Sequence, residues 1–181
     1  MRAQPIEIIY NDPDMGVLVA TRDAPVAITE GLTYRQKLQV LVREMGKMEQ
    51  VHAPTKHYFA PGVYIREIHM PAGAYIIGKI HKTEHFNIIQ KGRLSLVNED
   101  GSSHEVCGPL TFVSNAGVQK AMFIHEDTVW STVHLTNERD MERLEAQIIE
   151  SGDYPVLDRR EERLAIEQAS EIETKRLERS K

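Results

Sequence analysis

The sequence predicts a mainly β protein: an antiparallel β-barrel or double-sheet jelly roll, with an N-terminal helix and C-terminal helices. Three observations carry this prediction. Between about His57 and His134, short runs of β-favouring residues follow one another with no helical period between them. Gly, Pro, Asn and Asp punctuate those runs at close spacing, as all-β antiparallel architectures require. The flanks differ in kind, with a helical apolar stripe before this block and a charge-rich stretch after it.

Taken in order, Ile6 to Tyr10 and Val17 to Thr21 read as strands of a β arm, joined through the turn-rich Asn11-Asp-Pro-Asp-Met-Gly16. Thr33 followed by Gln36 fits a capping box, in which each side chain satisfies the other's backbone N–H. Tyr34, Leu38, Leu41, Met45 and Met48 then fall on one helical face, which is expected to cover a sheet. Eight strands follow: Val63–Met70, Tyr75–His81, His85–Gln90, Arg93–Asn98, Ser102–Cys107, Thr111–Ser114, Ala121–His125 and Val129–Leu135. His52 and His57 are expected in a loop before them. Beyond Leu135, Met141, Leu144 and Ile148 form a helical stripe that should pack back on the barrel. Ser151-Gly-Asp-Tyr-Pro155 should break that helix, and a second charged helix is expected over about 158–178. The predicted division is residues 1–56 for arm and helix, 57–136 for the barrel and 137–181 for the charged helical segment.

Composition narrows the function classes. The 181 residues include 41% hydrophobic and 27% charged side chains, an ordinary soluble balance with enough apolar material for one core. A net charge of −5 argues against nucleic-acid binding by overall charge. Cys107, alone of its type, excludes an intramolecular disulfide and a Cys-based zinc site. There is no secretory apolar run at the N-terminus and no stretch near the ~20 residues that span a membrane, so a cytoplasmic location is expected. Phosphate-binding loops, the G-x-S-x-G elbow and H-E-x-x-H are absent from the sequence. Eight histidines are the compositional hint of site chemistry.

The most informative segment is Pro71-Ala-Gly-Ala-Tyr-Ile-Ile-Gly-Lys-Ile-His81-Lys-Thr-Glu-His85-Phe-Asn-Ile-Ile-Gln-Lys-Gly92. Alternate residues of a strand share a face. Tyr75, Ile77, Lys79 and His81 should therefore point one way, with His85, Asn87 and Ile89 converging on them from the next strand. The segment resembles the first signature motif of the cupin superfamily, two histidines spaced H-x-H followed by a glutamate and a glycine. Anchored on Gly92, His85 stands at the glutamate position, His81 at the second histidine and Lys79 at the first. The second cupin motif aligns with Gly108 to Lys120 and places Gln119 or Lys120 where the family has its last histidine. The resemblance implies a cupin-like barrel, also called a double-stranded β-helix. Residues Pro71–His134 with the charged tail are also similar to small single-cupin proteins of tailed bacteriophages, which would place the chain in a host cytoplasm.

Two registers stay open downstream. With Gln119 inward, Ala121, Phe123 and His125 follow, and His125 joins His81 and His85 as a third imidazole suited to Zn, Fe, Mn or Ni. With Lys120 inward, Met122 and Ile124 follow. Two histidines then sit among lysines, a setting for an anion without metal, since ammonium groups repel a dication. The candidate metal ligands are thus His81, His85 and His125. The candidate ligand-binding residues are Tyr75, Lys79, Asn87, Gln119 and Lys120. His134 is expected to be structural and Trp130 a core or interface anchor.

Two functions follow as expectations. One is a small-molecule or metal-binding protein whose pocket is built from Lys79, His81, His85 and Asn87, with one divalent metal or none. The other is an accessory or virion-associated structural protein that docks through its C-terminal helix. The cupin resemblance also implies a homodimer. The sequence adds a motive: Ile76, Ile80, Phe86 and Ile88 would form one outward apolar patch.

Overall fold

The computed structural model of the chain describes residues 7–10, 18–20, 31–46, 48, 50–98 and 100–150. The helix expected over 158–178, the 151–155 break and the Asn11–Gly16 turn lie outside those residues.

Eleven strands are described: β1 (Glu7–Tyr10), β2 (Leu18–Ala20), β3 (Thr55–Ala60), β4 (Val63–Met70), β5 (Tyr75–Ile77), β6 (His85–Lys91), β7 (Arg93–Val97), β8 (Ser103–Cys107), β9 (Leu110–Ser114), β10 (Ala121–Ile124) and β11 (Thr128–Leu135). They form two sheets, one ordered β1-β3-β4-β11-β6-β9 and the other β2-β5-β10-β7-β8. Every pairing between these strands is antiparallel. With helices α1 (Tyr34–Gly46) and α2 (Met141–Ile148), this is the antiparallel double-sheet jelly roll that the turn spacing predicts.

The core lies between the sheets. β4, β11 and β6 contribute Ile68, Met70, Trp130 and Ile89. The facing sheet contributes Ile76, Leu94, Leu96, Met122 and Ile124. Each such side chain, once buried, adds roughly 1.5–3 kcal/mol of hydrophobic stabilisation. Gly92 turns β6 into β7 at φ +102°, and a Cβ there would lie 2.2 Å from Thr128 Oγ1. Only glycine meets both demands.

The capping box at Thr33 forms: the Thr33 N–H donates to Gln36 Oε1 (2.9 Å), and the Gln36 N–H donates to Thr33 Oγ1 (3.3 Å). The stripe of α1, with Leu38 and Met45 at its centre, packs on Tyr75, Ile77 and Ala121. It therefore covers the outer face of β5 and β10. Helix α2 is capped by Asp140, whose side chain accepts from the Arg143 N–H at 3.0 Å. Its Leu144 and Ile148 pack with Phe59, Tyr64 and Ile149 at one end of the jelly roll.

Three expectations are corrected. His57 lies on β3 rather than in a loop, and it is fully buried with Nδ1 2.7 Å from the Tyr64 hydroxyl. Strand β5 ends at Ile77 instead of His81, because from Gly78 the chain turns to bond with Lys120 and then with residues 148–150. The four-residue outward patch does not exist. Ile76 packs between the sheets and Ile80 is 4% exposed, because α1 claims the opposite parity of β5. Phe86 remains exposed at 54%, opposite Val113 on β9 at 46%.

Candidate functional site

One cross-strand row of the six-stranded sheet builds half of the site. Tyr64 pairs with His134, and Phe86 with Val133, so the next step of the same register sets His134 beside His85. One row along, Arg66 pairs with Thr132, and Thr132 with Asn87. These residues have the parity of Ile68, Trp130 and Ile89, the face turned toward the second sheet.

The other half comes from the irregular segment after β5. The Gly78 N–H donates to Lys120 O (2.8 Å) and the Gly117 N–H donates to His81 O (2.9 Å). His81 also makes an antiparallel β-bridge with Ile149. The Lys82 N–H donates to Ile148 O (2.8 Å), and the Glu150 N–H donates to Ile80 O (2.9 Å). Lys79 forms an ion pair with Glu145 of α2. The end of α2 is thereby sewn to the segment that carries His81, and it forms one wall of the pocket.

The result is a stack of three imidazoles. Ring centroids lie 4.1 Å apart for His81 and His85, 4.9 Å for His81 and His134, and 4.9 Å for His85 and His134. One ring nitrogen from each lies within 4.8 Å of the other two. His85 Nδ1 faces Thr83 O at 3.0 Å, which leaves its Nε2 for a ligand. Among the described residues, His81 Nδ1 and both ring nitrogens of His134 are buried with no hydrogen-bond partner.

The electrostatics keep these rings neutral. Burial, then the neighbouring His85 and His134, then Lys120 and Arg66, lower the His81 pKa to about 2. Burial, His85 and Arg66 lower that of His134 to about 4. Burial also lowers that of His85, against the Thr83 carbonyl that raises it. Neutral imidazoles with idle lone pairs are the donor form that a divalent transition metal takes. The three residues fit such an ion: orphaned buried acceptors are costly unless something fills them.

The cavity has a volume of about 80 Å³ and is lined by Lys79, His81, His85, Asn87 and Lys120, with Arg66, Thr132 and an apolar wall. Asn87 lines it with its amide already engaged. Nδ2 donates to Ser114 Oγ (2.8 Å) and Oδ1 accepts from Trp130 Nε1 (3.0 Å), so it braces the wall.

Three sequence candidates lie elsewhere. Tyr75 packs beneath α1, because Ile76 takes the inward parity of β5. Gln119 is buried with Nε2 donating to the Gly78 carbonyl (3.0 Å), which holds the turn after β5. His125 is on the outer face of its sheet, with Nε2 2.7 Å from Ser95 Oγ and its ring against Phe123. The register is the one with Lys120, Met122 and Ile124 inward, yet it still comes with three imidazoles, because His134 supplies the third. Sequence reading missed His134 and Arg66. For His134 a signal existed: Trp130, Thr132 and His134 alternate on one strand, and a buried Trp marks the inward face. Arg66 gave none, since both parities of Val63–Met70 carry apolar and charged residues.

No protein-family model matches the chain, and no curated protein matches it. Similar solved structures include a protein of Neisseria meningitidis, 10% identical at a TM-score of 0.40, covering 45% of this chain and 83% of that one. The EutQ protein of Clostridium difficile is 12% identical at 0.39, covering 48% of this chain and 70% of that one. The hydroxypropylphosphonic acid epoxidase of S. wedmorenis is 7% identical at 0.38, covering 46% of this chain and 50% of that one. Likeness at this level carries no argument about ligand or reaction.

Proposed function

We propose that the chain is a cupin-type binding protein that holds one divalent transition metal on His81, His85 and His134 at the floor of a small-molecule pocket. The observation that supports this is the cluster of three stacked imidazoles, His85 and His134 buried and His81 partly so, in which three ring nitrogens have no partner among the described residues. Few buried ring nitrogens go unpartnered in a folded core, and a cluster of them among three neighbouring imidazoles calls for a common partner. When bound, the metal would supply Lewis-acid or redox chemistry at an open coordination position.

The chain's own residues do the rest. Asn87, held by Ser114 and Trp130, fixes the wall beside His85. The Thr83 carbonyl orients the His85 ring so that one nitrogen faces the cavity. Ile148 and Ile149 close one side and exclude water. Zn, Fe, Mn and Ni all accept three imidazoles, and the donor set does not choose among them.

The test is metal titration of the full chain after chelator treatment. One equivalent per chain is expected, and none in a His81→Ala/His134→Ala double variant whose circular dichroism matches the parent. Absence of binding by the parent to any of the four metals would overturn the reading and return the fold to a scaffold role.

A further inference from the structure

We infer that this pocket takes a small organic acid, its carboxylate held by Lys120 and Thr132 beside the imidazoles and its short apolar body laid against Met122 and Ile148. The inference deepens the pocket reading above and rests on it.

Charge is the first argument. Among the described residues, the side chains lining the cavity include Arg66, Lys79 and Lys120 and no Asp or Glu. Lys79 is neutralised by Glu145. Among the described residues, no ion-pair or hydrogen-bond partner is found for Lys120, although it is partly buried. An ammonium group removed from water without a counter-charge is costly, and an anionic ligand removes that cost. A second, independent observation points to the same place. Thr132 is 9% exposed, and its Oγ1 is buried without a partner among the described residues. Its hydroxyl lines the cavity from β11, while Lys120 reaches it from the segment just before β10. Both are donors that a carboxylate's oxygens accept.

The wall sets the rest of the ligand. Ile68, Met70, Ile76, Met122, Ile148 and Ile149 offer nothing to a polar body. Inorganic phosphate would meet this surface with oxygens that find no donors. A neutral amide of the same shape would leave Lys120 without its counter-charge. A small cavity of about 80 Å³ also limits the body to a few carbons.

The experiment is calorimetry on the full chain loaded with zinc, using butyrate, butyramide and inorganic phosphate as probes. Butyrate should bind about tenfold or more tightly than either of the others, the scale of a charge-assisted hydrogen bond. Lys120→Met should weaken butyrate by a similar factor while zinc stoichiometry stays at the parental value, which also reports that the variant is folded. Lys120→Arg should restore butyrate binding to within a few fold. Butyramide or phosphate binding as well as butyrate would overturn the inference, as would a Lys120→Met variant that binds butyrate like the parent. Zinc bound with no butyrate binding overturns this inference and leaves the metal centre standing. Butyrate bound through Lys120 in a chain that takes no metal does the reverse.

Discussion

The rings of His81 and His134 lie 4° from parallel with centroids 4.9 Å apart, although 53 positions separate them in the chain. Register brings them together. The Tyr64–His134 pairing fixes one ring on the six-stranded sheet, and the His81–Ile149 bridge holds the other over it. Two predictions follow from this pair, and two from the elements that carry it.

His134, not His125, is the third imidazole. His134→Ala should weaken zinc binding by on the order of a hundredfold or more, since losing a ligand costs at least as much as losing the residues that orient one. His125→Ala should leave it within about twofold, because that ring bonds Ser95 on the outer face. Competition with a chromophoric chelator measures both. Equal losses would place the site elsewhere.

The metal-free protein should lose stability on acidification. The folded state holds His134 neutral down to about 4 and His81 to about 2, whereas the unfolded chain takes up these protons near the ordinary value of 6.5. Below that value the unfolded state binds more protons, so stability falls as pH falls, by up to about 1.4 kcal/mol per pH unit per histidine. Urea midpoints at pH 7.5, 6.5 and 5.5 should fall slightly over the first interval and more steeply over the second. His134→Leu should flatten part of that drop. A midpoint unchanged between pH 6.5 and 5.5 would contradict the buried neutral state.

Gly92→Ala should destabilise by about 1–3 kcal/mol, the scale of a residue forced into a sparsely populated backbone region. The new methyl would also meet Thr128 Oγ1 at 2.2 Å and force that strand to shift. Gly101→Ala, at φ +84° with open space around it, should cost less. Guanidinium unfolding of both variants checks the order.

Leu144→Ala should cost about 2–4 kcal/mol, because the side chain is fully buried against Phe59 and Tyr64. Helix α2 also anchors the pocket wall through Glu145 and Ile148, so metal affinity should fall with it. A variant that melts like the parent would mean that α2 is loosely attached.

The fold was legible because period and punctuation agree. The runs from Val63 to Leu135 each alternate or are β-rich, and the turns between them carry Gly where positive φ is found, as at Gly73, Gly92, Gly101 and Gly117. The capping box at Thr33 and the Leu144–Ile148 stripe are local signals that tertiary structure left intact. The site was half legible. His81, His85, Lys79 and Asn87 follow from the parity of β6 and the motif around it. Parity failed at β5 because Gly78 ends the strand, so Lys79 and His81 reach the pocket from an irregular segment while Tyr75 and Ile77 pack under α1. The alternation from Trp130 could have shown which way His134 points, but its place beside His85 is a matter of register between β6 and β11, which leaves little trace in a single sequence.

X-ray absorption of the zinc-loaded full chain tests the metal centre most directly. Three imidazole nitrogens at about 2.0–2.1 Å are predicted, falling to two in His134→Ala. A first shell without imidazole, or one unchanged by His134→Ala, would contradict it.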